Sequence, residues 1–92
     1  MYLVRCEVSE GPRPGYKAIG ISSVEGYSEY LVVEERFLVH RDDGVYLPVI
    51  LVGWDRRQNL ALAQLPYEAD SGANRVWVSK TQIVPEADEV PA

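Results

Sequence analysis

Ninety-two residues, 47% of them apolar and 25% charged, make one modest globular domain and rule out a chain disordered throughout. The formal charge is −5 and uneven: before Pro85 nine Lys and Arg face eleven Asp and Glu, so the body is about −2 and the last eight residues add −3. A body without a basic excess argues against non-specific nucleic-acid binding. One cysteine, Cys6, excludes a disulfide within the chain, and no stretch is long and apolar enough to span a membrane as a helix.

The first element is "YLVRCEVS" at 2–9. It alternates, with Tyr2, Val4, Cys6 and Val8 on one face and Leu3, Arg5, Glu7 and Ser9 on the other, the pattern of a half-buried strand. Arg5 and Glu7 break the apolar run that a secretory signal requires, so a soluble cytoplasmic protein is expected. "EGPRPG" at 10–15 cannot continue a ladder and reads as a loop. Strands follow at 16–24 and 27–33, joined by a Glu-Gly turn. Residues 34–39 fit either an extended segment or one helical turn, and "HRDDG" at 40–44 is a turn.

"VYLPVILVGW" at 45–54 is the most apolar strand. Val49–Val52 lack alternation, which predicts that both faces are covered, and Pro48 must sit near a strand start, a bulge or an edge. After a "DRRQN" turn come strands at 60–65 and 75–79, then a tight turn and one last apolar pair, Ile83 and Val84. Residues 85–92 read as a flexible acidic tail. The expectation is therefore an all-β single domain over 1–84: a small barrel of five to six short antiparallel strands with a 3-10 turn near its end.

The segment "NRVWVSKTQIV" resembles the last hairpin of SH3-type barrels, where a strand bearing an aromatic residue leads through a one-turn 3-10 helix into a short final strand. Val76, Val78, Ile83 and Val84 match its apolar pattern. The chain has neither the acidic and aromatic opening loop nor the adjacent tryptophans of peptide-binding SH3 domains. The resemblance thus implies an SH3-like fold and not proline-rich peptide binding.

Pairing 60–65 with 75–79 so that Leu62 opposes Val78 and Gln64 opposes Val76 sets Ala63 against Trp77 and Leu65 against Arg75. That register puts Trp77, Arg75, Ala63 and Leu65 on an outer face, with Tyr67 and part of 49–52, including Leu51, beside them. This is a candidate interaction surface, for a protein partner or a second copy, unless the chain itself folds over it. A second candidate is a single-strand nucleic-acid surface built from Trp54, Arg56, Arg57, Arg75 and Trp77.

Signals for catalysis are weak. His40 with Asp42 and Asp43 offers too few ligands for a metal, and Cys6 lies on an apolar face as a buried thiol. Asp70-Ser71-Gly72 would fit a small anion nest but reads more simply as turn chemistry. Neighbouring carboxylates such as Glu34 and Glu35 diverge along a strand. A non-catalytic module without a cofactor is the expectation.

Overall fold

The computed structural model describes residues 1–86. Its strands are β1 (Tyr2–Glu10), β2 (Tyr16–Ser22), β3 (Ser28–Glu34), β4 (Val39–Arg41), β5 (Gly44–Asp55), β6 (Leu60–Gln64), β7 (Arg75–Ser79) and β8 (Ile83–Pro85). All pairings are antiparallel, in the order β3-β2-β1-β5-β6-β7, with β4 added to β5 and β8 to β1. The sheet curls until its two ends almost meet, forming a small, nearly closed barrel with six strands in its wall.

No ladder joins the two ends. A few individual bonds bridge the seam instead. The Val24 N–H donates to the Trp77 carbonyl at 3.1 Å, and the Asp70 N–H to the Tyr30 carbonyl at 2.7 Å. The Gln82 side-chain amide donates to the Ser22 carbonyl at 2.9 Å. The Ser71 hydroxyl donates to the carboxylate of Glu29, a buried charge, at 2.6 Å.

Short helical turns occur where the sequence permits them. Residues 35–37 form one 3-10 turn, which settles the ambiguous 34–39 segment, and Lys80–Gln82 form the other. The second is fixed by a capping box. The Ser79 hydroxyl accepts from the Thr81 N–H, and the Gln82 side chain accepts from the Ser79 N–H. β8 runs through Pro85, and the Glu86 N–H donates to the Met1 carbonyl, so the ordered fold extends to residue 86. The rest of the expected tail lies outside the described residues. Among the described residues no helix is long and apolar enough to cross a membrane.

The core is built from alternate positions of every wall strand: Val4 and Cys6, Ile19 and Ile21, Leu31 and Val33, Leu47 and Val49, Ala61 and Ala63, Val76 and Val78. Three sequence expectations are corrected here. The alternation sets Leu3 with Arg5 and Glu7 on the polar face of β1, but it is fully buried, with Pro48 of β5 and Val84 of β8 opposite it on either side. Val49–Val52 is not covered on both faces: Ile50 and Val52 are exposed. The third correction concerns the β6–β7 register, which is one residue from the expected one. Ala61 opposes Val78, Leu62 opposes Trp77, Ala63 opposes Val76, and Gln64 opposes Arg75. "LALAQL" is apolar on both faces, so hydrophobicity does not choose between them. Volume does, because the narrow interior admits alanine beside Val76 and Val78 and leaves Leu60 and Leu62 outside.

A β-bulge at Val52 completes the wall. β5 pairs Leu51 with Ala63 but Gly53 with Leu62, so one residue is extra and the faces exchange beyond it.

Candidate functional site

The corrected register divides the expected interaction surface. Ala63 and Leu65 are buried core residues, and Leu51 opposes Ala63 and packs inward against the same core. They cannot contribute to an outer face. Trp77 and Arg75 do lie outside, opposite Leu62 and Gln64. The Trp77 ring is half-buried and reaches across Leu62 toward Gly53. A Cβ at residue 53 would stand 3.3 Å from Leu62 Cβ and 3.9 Å from Trp77 Cη2, so the glycine leaves room for this outer stack. The chain thus partly covers its tryptophan from below and leaves the upper side open.

Tyr67, the remaining expected residue, belongs to a different feature. β4 covers Gly44–Tyr46 of β5, and β6 joins β5 only at Ile50. Between them β5 has a strand neighbour on the β1 side alone. Pro48 occupies this gap, where a missing N–H forfeits no ladder bond on the open side, which is the local-edge case among its three expected places. The turn at 35–37 and the segment 65–67 flank the gap. The result is a cleft of about 350 Å³ lined by Met1, Phe37, Pro48, Val49, Ile50, Gln64, Leu65, Pro66 and Tyr67. In a chain one-quarter charged, none of these side chains is charged. Phe37, Ile50 and Tyr67 form its rim, and Ile50 is 54% exposed. The Arg36 guanidinium lies 4.7 Å from the Phe37 ring centroid and is held by Glu34 at 2.7 Å, which steadies one wall.

Most of this cleft was missed in the sequence. The signal that pointed toward it was Pro48 inside a long apolar strand, which marks an uncovered edge. Nothing local in sequence says that Phe37 and Tyr67 will meet across that edge.

The five residues of the expected nucleic-acid surface do not form one face. Trp54 opposes Ala61, which opposes Val78, and this row faces the interior side of the wall. Trp77 belongs to the next row and points the other way. Trp54 lies at the barrel end, 49% exposed, edge-on to Tyr2 at 6.4 Å, with the Lys80 ammonium 4.9 Å from its ring centroid. Arg56 and Arg57 follow it in the β5–β6 turn, whereas Arg75 and Trp77 lie on the outer face of β7.

The candidate chemical groups are engaged in structure. Cys6 and His40 both oppose Val45, one from β1 and one from β4. Two strand spacings separate them, roughly 10 Å, which is beyond the reach of a nucleophile and its base. Burial pushes the Cys6 thiol up to about 11, so it is protonated near neutral pH, and it donates to the Val45 carbonyl. Asp43 accepts from the Tyr46 hydroxyl at 2.9 Å and pairs with Arg5 at 3.2 Å. The tyrosine bond first, and then the guanidinium, hold its carboxyl below the usual range. In the 70–74 turn, three of the amides an anion nest would draw on are taken. Asp70 N–H serves Tyr30, Gly72 N–H serves Ala69, and Ala73 N–H serves the Ser71 hydroxyl. Among the described residues no three metal-ligating side chains converge.

Compared with protein families, with characterised proteins and with solved structures, the chain matches none.

Proposed function

We propose that this protein is a non-catalytic protein-interaction module, and that the cleft between β4 and β6 receives an apolar segment of a protein partner. The observation that carries this reading is the cleft: nine lining residues with uncharged side chains at a break in the wall, rimmed by the exposed Phe37, Ile50 and Tyr67. An exposed apolar concavity of this kind is the surface that association buries, and aromatic rims supply hot spots. The groove is open along the barrel surface, which suits a segment of polypeptide better than a ligand enclosed on all sides. The separation of Cys6 from His40 and the commitment of the Asp70, Gly72 and Ala73 amides support a role without catalysis. The run from β7 through the 3-10 turn at Lys80–Gln82 into the short β8 supports the SH3-type reading of the barrel. The cytoplasm is the proposed location, on the strength of the composition and the interrupted apolar run of β1.

Selection of a random phage-displayed peptide library on the purified protein tests this function. Enriched peptides should carry a large apolar or aromatic residue. Their binding should fall at least about tenfold in Ile50→Glu and Tyr67→Ala, equivalent to about 1.4 kcal/mol, with unchanged denaturant midpoints. Peptides that bind Ile50→Glu as well as the parent overturn the cleft as the site. Light scattering on the same samples separates a second copy as occupant, which Ile50→Glu would render monomeric.

One observation keeps nucleic acid as a second reading. Trp54, Tyr2, Lys80, Arg56 and Arg57 gather aromatic and cationic groups at one barrel end. Salt-sensitive quenching of Trp54 emission by a mixed-sequence single-stranded DNA would support it. Emission unmoved at micromolar oligonucleotide would end it.

A further inference from the structure

We propose that a depression beside Trp77 is a docking point for a basic side chain, lysine or arginine, of a protein partner. It is separate from the cleft and does not rest on that reading. Three pairs of residues meet across the barrel seam to form it: Val24 and Glu25 from the turn after β2, Asp55 and Gln58 from the end of β5 and its turn, and Leu60 and Trp77 from β6 and β7. The volume is about 430 Å³. Its apolar surface is the half-buried Trp77 indole with Leu60 and Val24. Its charged groups are two carboxylates, contributed by two different turns.

Both carboxylates are held by neutral donors. Glu25 accepts from the Tyr27 hydroxyl at 3.0 Å and the Ser23 hydroxyl at 3.5 Å. Asp55 accepts from the backbone N–H groups of Arg57 and Gln58 and from the Gln58 side-chain amide. The ion pairs among the described residues are Arg5–Asp43, Lys17–Glu10 and Arg36–Glu34, and none reaches either group. The fold therefore presents two oriented negative charges at one aromatic concavity, neither of them in a salt bridge among the described residues, although Arg56 and Arg57 follow Asp55 in its turn. The contrast with Trp54 is direct. The Trp54 ring carries the chain's own Lys80 at 4.9 Å, whereas no cation of the described chain lies over Trp77. An indole flanked by carboxylates is the surface that a flexible ammonium or guanidinium occupies, its stem on the ring and its head between the charges. The net charge of −5 favours the approach of such a partner.

The test reads Trp77 emission in a Trp54→Phe background. The probes are three short capped glycine peptides with a central lysine, arginine or norleucine, and tetramethylammonium chloride. The lysine and arginine peptides should shift the emission saturably, and the norleucine peptide should not. Added salt should weaken the response, and Glu25→Gln with Asp55→Asn should weaken it at least about fivefold, because charge carries the selectivity. If Asp55→Asn loosens its turn, Glu25→Gln alone must still weaken binding. Ile50→Glu should leave the titration unchanged, which separates this site from the cleft. Equal response to norleucine, or no loss in the carboxylate variants, overturns the proposal. A response to tetramethylammonium without one to the peptides overturns it in favour of a free organic cation.

Discussion

The two tryptophans sit in neighbouring cross-strand rows and lead opposite lives. Trp54 shares its row with Ala61 and Val78 and turns toward the interior side of the wall, where it meets Tyr2 and Lys80 at the barrel end. Trp77 shares its row with Leu62 and Gly53 and lies outside, between two carboxylate-bearing turns. One residue makes the difference. If Val52 were an ordinary strand residue and not a bulge, simple alternation from the inward Leu51 would turn Gly53 inward and Trp54 outward, onto the face of Trp77. The bulge thus separates two aromatic surfaces that the sequence places in similar surroundings, each two residues from an arginine.

The largest effect is expected from filling the inner row. Ala61 is fully buried between Trp54 and Val78, and Ala61→Leu forces three methylene-sized groups into a closed space. A loss of about 1–3 kcal/mol or more follows. Leu62→Ala, one position along but on the outer row, removes comparable volume from a partly buried site that solvent can refill, and should cost less, about 1 kcal/mol. Urea midpoints of both variants check the ranking. A larger loss for Leu62→Ala would mean that the outer stack, and not the alanine row, carries the packing.

That ranking also marks where the sequence was legible. Strand 27–33 read correctly because Leu31 and Val33 alternate with Tyr30 and Val32, and only one of those faces is buried. The final turn read correctly because Ser79 and Gln82 carry their cap in the chain itself. The register of 60–65 did not, because leucine and alanine are both apolar and the deciding quantity, the width of the barrel, belongs to the assembled wall. The Val52 bulge and the cleft were hidden for the same reason. Each arises where strands distant in sequence begin or stop pairing, and Ala63, Leu65 and Leu51 left the proposed surface as a result.

A middle-sized effect should come from the seam, and it should reach only one tryptophan. The Ser71 hydroxyl is the side-chain donor to Glu29 within a loop whose Asp70 N–H holds Tyr30. Ser71→Ala removes a bond from an exposed hydroxyl to a buried carboxylate and should cost about 1–1.5 kcal/mol. The Trp77 carbonyl is itself a seam acceptor, from Val24, whereas the Trp54 ring meets Tyr2 and Lys80 at the barrel end. Amide exchange at Val24 and Asp70 should quicken in Ser71→Ala, and Trp77 emission should shift while that of Trp54 stays. Equal shifts at both would show that the barrel loosens as a whole.

The smallest effect is the most direct test of the contrast. Trp77→Phe leaves Trp54 as the sole emitter, next to a lysine, and Trp54→Phe leaves Trp77, next to Glu25 and Asp55. Iodide is drawn to the first and repelled from the second, and caesium behaves in the opposite way. Exposure alone favours Trp54 with either quencher. The iodide preference for Trp54 should therefore exceed the caesium preference by roughly twofold at low salt, and the gap should close as added salt screens the local charges. A ratio that is the same for both ions would mean that the two indoles sit in equivalent fields, and the division that Val52 makes between the rows would then be one of packing alone.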